Sequence, residues 1–180
     1  MDKQLLEAAL SELPLYVYFY IDPMTLEFSD RIRWICENEC PRHGQSWACP
    51  PGVGSVAQCK ARCLSYNCCL VVGTITESDD ISDICATLAT RFEHESVTNQ
   101  VRQLMRDQGV DPYILSTDSC AICKQCTYPE GKPCRHADVM HPCIESHGIN
   151  IIPTLDENGL DFQYGSNMIT WYSLLFFNEN

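Results

Sequence analysis

The chain has 180 residues, of which 13 are cysteine, and carries 24 acidic against 12 basic side chains for a formal net charge of −12. With 45% hydrophobic and 20% charged residues it has the composition of a globular domain that buries its own core, so neither disorder nor a disulfide-stapled mini-protein is expected. The acidic balance argues against a nucleic-acid partner, which would need a basic face to displace phosphate counterions, and no apolar run is long enough for a membrane span.

In chain order, Asp2 to Leu13 reads as a short helix with Leu5, Leu6, Ala9, Leu10 and Leu13 on one face. Its acidic start, and the Pro14 and missing cleavage site of the apolar run from Leu13 to Ile21, argue against a secretory signal. The aromatic and β-branched run Tyr16 to Ile21 predicts a strand closed by Asp22-Pro23. Val56 to Tyr66 is helical in pattern, and Cys68 to Ile75 reads as a buried strand. From Asp79 to Gln108 the spacing of Ile81, Ile84, Leu88, Phe92, Val97, Val101, Leu104 and Met105 predicts one long helix, or two broken near His94, stopped by Gly109. Tyr113 to Ser116 suggests a short strand, Asp138 to His147 a helix ended by Gly148, and Ile149 to Ile152 a strand. Asn158-Gly159 reads as a turn and Ile169 to Phe177 as a closing strand. Strands and helices without a βαβ rhythm predict an α+β fold: one domain over residues 1–180, with a mixed sheet flanked by helices.

The cysteines form two blocks, 36–69 and 120–143, lying mainly in loops, with only Cys85 between. Without export the chain is expected in a cytoplasm, where thiols stay reduced and clustered cysteines bind metal; an odd total also fits poorly with complete pairing. Cys120-Ala-Ile-Cys123-Lys-Gln-Cys126 lets one curled loop offer three thiolates to a single centre. Cys134 can return as the fourth ligand, because Pro129, Gly131 and Pro133 favour a folded-back loop. Zinc sites more often use two separate Cys pairs, so the triple spacing favours an iron–sulfur cluster and keeps zinc as the alternative.

In the first block Cys36, Cys40 and Cys49 are followed by Cys59 and, one helical turn on, Cys63, either of which can complete a second set. Trp47 is placed either to shield this site or simply to pack. Cys68, Cys69 and Cys85 sit in strand or helix patterns and read as buried apolar residues. His141 with Glu145, or Cys143 with His147, could share a helix face and hold a metal, but no third ligand is evident from spacing. Arg135, beside Cys134, is a candidate to stabilise a negatively charged cluster; a surface ion pair is the plainer role.

Cys36 and Cys40, Trp47-Ala-Cys-Pro-Pro51, the Cys120–Cys126 run, Cys134-Arg-His, Glu145-Ser-His-Gly-Ile149 and Ile169-Thr-Trp-Tyr together make the chain resemble the DUF2284 family of predicted metal-binding proteins. The resemblance implies metal or iron–sulfur binding, mostly in anaerobic bacteria and archaea. It implies Cys36, Cys40, Cys49 and Cys59 as one ligand set and Cys120, Cys123, Cys126 and Cys134 as the other. Cys143 departs from it, standing where the family usually has Ser, as a spare thiol, a redox residue or an alternative ligand. The expected function is a protein with two clusters, of the 4Fe–4S type, that passes electrons to a redox partner or serves a metalloenzyme. A zinc-stabilised interaction module is the alternative. No nucleotide loop or Ser/His/Asp set points to an enzyme.

Overall fold

The computed structural model describes residues 1–78, 82–162 and 167–179. Helix α1 (Lys3–Leu10) starts at Asp2, whose carboxylate accepts the Leu5 N–H, and buries Leu6 and Leu10. Strand β1 (Val17–Ile21) leads through a turn to the two-residue strand β2 (Glu27–Phe28) and then to helix α2 (Asp30–Asn38), capped by Ser29. Helix α3 (Val56–Cys63) opens on a Ser55/Gln58 capping box. Strand β3 (Cys68–Glu77) is followed by helix α4 (Ile84–Asp107) and strand β4 (Tyr113–Leu115). Strand β5 (Ile149–Asn150), helix α5 (Ile152–Glu157) and strand β6 (Met168–Phe177) complete the chain.

The main sheet has the order β1-β3-β6-β4, and β2 pairs with β5 in a second, small sheet. Register runs from Cys68 opposite Phe177 to Glu77 opposite Met168, and Val17 lies opposite Gly73. Leu70, Val72, Leu175 and Phe177 pack beneath α1 and α4 with Leu6, Leu10, Val101 and Met105. Val71, Leu174 and Phe176 pack on the other face with Ile144, Ile149 and Leu155. A central strand covered on both faces has no use for polar alternation, which is why Cys68 to Gly73 is unbroken apolar sequence. Among the described residues no helix is long and apolar enough to cross a membrane.

The α+β class holds, and the sheet's ladders are antiparallel; among the described residues parallel pairing is confined to one bridge between Ser116 and Cys143. The helical pattern that begins at Asp79 is one uninterrupted helix from Ile84; Asp79 to Ile81 lie outside the described residues. It does not break at His94, because that ring faces the sheet, 2.9 Å from Thr74 Oγ1 and 2.8 Å from Ser173 Oγ. The helix expected over Asp138 to His147 is not formed. Pro142 cannot continue one, and the chain there instead pairs with Ser116, whose N–H donates to the Pro142 carbonyl at 2.8 Å and whose carbonyl accepts the Ile144 N–H at 2.9 Å. Only a 3₁₀ turn at Glu145–His147 remains. The strand expected over Ile149 to Ile152 is cut to two residues by α5, and α2 is a helix where a cysteine-bearing loop was expected.

Candidate metal centres

The second cysteine block folds on itself as its turn residues demand. Gly131 takes a left-handed conformation at the end of the 3₁₀ turn Tyr128–Glu130, the Thr127 hydroxyl donates to the Pro133 carbonyl at 2.9 Å, and the chain is carried back to Cys134. Cys120, Cys123, Cys126 and Cys134 all line one small cavity of about 20 Å³, together with Ser46, Trp47 and Arg135. Burial pushes the Cys126 thiol up, but backbone N–H groups of Tyr128, Trp47 and Thr127 and the Ser46 hydroxyl outweigh it and hold the thiol below its ordinary value. The His136 N–H points at Cys134 Sγ, 3.4 Å away. Donors aimed at sulfur are what a thiolate-ligated metal uses to spread its negative charge.

Trp47 belongs to this set rather than to that of its neighbour Cys49. Its indole N–H donates to the Lys132 carbonyl at 3.0 Å and its ring meets Tyr128 edge-on at 4.8 Å, so it walls the second cavity. Arg135 is exposed, and its guanidinium donates to the Gln125 carbonyl at 3.0 Å, which lays it against the same loop.

The first set is assembled from distant pieces. Cys36 comes from the last turns of α2 and Cys40 from just beyond it, and Cys49 arrives by a loop that closes through the Gly44 N–H to the Pro50 carbonyl at 2.8 Å. The fourth cysteine on their cavity is Cys143. Cys59 is elsewhere: fully buried on α3, its sulfur 3.5 Å from the Val53 carbonyl and beside Arg33 and Arg62, with Cys63 one turn on and equally buried. Neither lines the cavity of Cys36, Cys40 and Cys49.

Arg33 explains why α2 meets the Cys143 segment. Its buried guanidinium donates to the Ser146 and Gly54 carbonyls and, at 2.9 Å, to Glu37, tying α2 to the start of α3 and to the turn after Cys143. The Ser29 N–H adds a bond to the Gly148 carbonyl at 2.6 Å.

Charges in this set are strongly interdependent. A hydrogen bond from Cys143 and hydrogen bonding with the Ser119 hydroxyl, 3.2 Å from the Cys49 sulfur, hold the Cys49 thiol below its ordinary value against the cost of burial, with help from Arg42. Cys143, as donor to Cys49 and buried beside Glu145, is held well above its own. Burial first, then Glu145 and the neighbouring Cys40 and Cys49, push Cys36 up to about 11. Burial likewise raises the Glu145 carboxyl. Among the described residues no three Cys, His, Asp or Glu side chains are yet close enough to share one ion. Each set lines a common wall, and binding a metal would draw its thiolates inward.

The two sets are back to back. Asp118 adopts a positive φ of 52°, an uncommon conformation that Asp tolerates, and just past it Ser119 lines the first cavity and Cys120 the second, while both border a third hollow of about 240 Å³. On the other side of the partition Ser46 and Trp47 line the second cavity and Cys49 the first. Spacing revealed Cys120, Cys123, Cys126 and Cys134 and offered Glu145 with His141 as a candidate ligand pair, but Ser119 and Arg33 carried no signal of their own. The extra thiol of Cys143 was the one hint of its position.

The donor sets are four thiols each, the chemistry of a thiophilic metal or an iron–sulfur cluster. No curated protein and no solved structure matches the chain. The model of a family described as predicted metal-binding protein matches residues 20–177, a span that contains both cysteine sets. The chain belongs to this family, DUF2284.

Proposed function

We propose that the chain holds two iron–sulfur clusters and acts in electron transfer, either with a redox partner or as an accessory to a metalloenzyme. Cys120, Cys123, Cys126 and Cys134 would hold one cluster, and Cys36, Cys40, Cys49 and Cys143 the other, with Cys143 taking the place that spacing left open to Cys59 or Cys63 and the resemblance gave to Cys59. The observation that carries this reading is the grouping of eight thiols into two sets, four on each of two cavities, with Ser119 on the first and the adjacent Cys120 on the second. Bound clusters would supply reversible one-electron chemistry. The chain supplies donors toward sulfur and an acidic balance suited to a basic patch on a partner.

One observation favours a second reading for the Cys120–Cys134 set. A cavity of about 20 Å³ has room for a single tetrahedral ion, such as zinc, without widening the loop. Iron, zinc and acid-labile sulfide are therefore to be counted per chain after oxygen-free reconstitution, alongside EPR of the reduced protein. Two 4Fe–4S clusters give about eight iron and eight sulfide and broad absorption near ~400 nm. Zinc without sulfide would replace the electron-transfer reading by a structural one.

A further inference from the structure

The cavity over Cys36, Cys40, Cys49 and Cys143 is far larger than four sulfurs and a metal centre require. Its volume is about 440 Å³, within the range of small-molecule pockets and larger than the hollows of about 20, 240 and 350 Å³ that cysteines of the other set line. The surplus is lined by carbon: Ile32 and Ile35 from α2, Leu88 from α4, Trp171 from β6, and Phe162. Ile35 and Phe162 are 42% and 48% exposed, so this wall continues to the surface. Trp171 is fixed in place, its indole N–H donating to Thr90 at 2.8 Å.

The polar groups are unevenly placed. Arg42 is exposed on the cavity wall, and no carboxylate of the described residues forms an ion pair with it. Asp118, Glu145 and the four cysteines contribute negative or potentially negative groups to the same walls. Such a site suits one negative charge met by Arg42 and an apolar body laid along the carbon wall. A second negative charge on the ligand would face acidic groups.

We infer that this cavity binds a small organic monocarboxylate with an apolar body, its carboxylate on Arg42 and its body between Ile35, Leu88, Phe162 and Trp171, beside the first cysteine set. The inference rests on the reading of that set as a metal centre and gives it a ligand-binding role.

Hexanoate is the probe. Titration calorimetry and ligand-observed NMR on the anaerobically reconstituted protein, with metal and sulfide counted in the same sample, are expected to show one saturable site. Adipate and 1-hexanol, the dianionic and the uncharged counterparts, are expected to bind at least about tenfold more weakly, as is hexanoate to Arg42→Gln. Ile35→Trp, a change at a half-exposed position that folding tolerates, is expected to fill the mouth and abolish binding with metal content unchanged. Absence of saturable hexanoate binding overturns the inference, as does binding indifferent to both variants. If metal content is normal in such a sample, the metal reading stands and the pocket alone falls. If no metal is incorporated, the metal reading fails, and the pocket is judged by the same titration of the metal-free chain, whose own residues form the cavity.

Discussion

The two cysteine sets solve the problem of gathering four thiols in opposite ways. The second is local: four cysteines within residues 120–134, turned inward by Gly131 and a Thr127–Pro133 hydrogen bond, surround about 20 Å³, and three of them also line a neighbouring hollow of about 240 Å³. The first is assembled across the fold, from α2, the loop after it and the turn beyond the Ser116–Cys143 bridge, and opens on about 440 Å³. A local set can form as soon as its own loop curls. A set spread over residues 36–143 needs the tertiary structure first, and its loose closure leaves space for a ligand.

The largest test of this contrast is ligand replacement. Cys143→Ser is expected to remove about half the iron and sulfide, roughly four of each, while Cys59→Ser leaves both unchanged. Cys126→Ser is expected to remove the other half. Metal analysis and EPR of the three variants check this; an intact count in Cys143→Ser together with a halved count in Cys59→Ser would return the ligand to α3. Arg33→Met should separate the sets further. Losing charged hydrogen bonds to two carbonyls is expected to destabilise the fold by about 3 kcal/mol, seen as a fall of roughly 6–12 °C in Tm. The same variant should lose metal from the first set under chelator before the second.

These contrasts also explain what the sequence let one read. Strands β1, β3 and β6 and helix α4 are legible because their burial is periodic or continuous in apolar residues. Helix α2 is not, because its buried positions are Arg33 and Cys36 while Trp34 and Ile35 face solvent, so the apolar pattern points the wrong way. The Cys120–Cys134 grouping follows from spacing, since local turns enforce it. The grouping of Cys143 with Cys36 depends on a buried Arg33 clamp and an isolated bridge, and no spacing rule encodes contacts made across more than a hundred residues.

A smaller effect tests the core between the sets. His94 sits fully buried on the face of α4 that meets the sheet, and burial lowers its pKa from 6.5 to about 4. The folded chain keeps the ring neutral while the unfolded chain protonates it near 6.5, so the unfolded state binds more protons between pH 6.5 and 4. Stability is therefore full above 6.5 and falls with pH through that window, by roughly 1.5 kcal/mol between pH 6.5 and 5. Denaturant titrations across that range measure the slope. His94→Gln, which keeps hydrogen-bonding groups near Thr74 and Ser173, is expected to reduce the slope by this ring's share alone, since burial also lowers the pKa of His141 to about 4 and that of His147 to about 3.

The smallest effect belongs to Arg135, and it distinguishes a charge that tunes a centre from one that merely decorates the surface. Its guanidinium is held on the second loop by the Gln125 carbonyl and lines the same cavity as Cys134, so it stands close to whatever charge the four thiolates carry. Reduction adds an electron to an already negative centre, and a nearby cation favours the reduced form. Arg135→Gln should therefore lower the potential of the second centre, leaving the first unmoved. Because the side chain is exposed and screened by water and salt, the shift is expected to be a few tens of mV at low ionic strength, shrinking as salt is added. Redox titration of the wild-type and variant proteins at two ionic strengths reads this. A shift shared equally by both centres, or none at low salt, would reduce Arg135 to an ordinary surface residue.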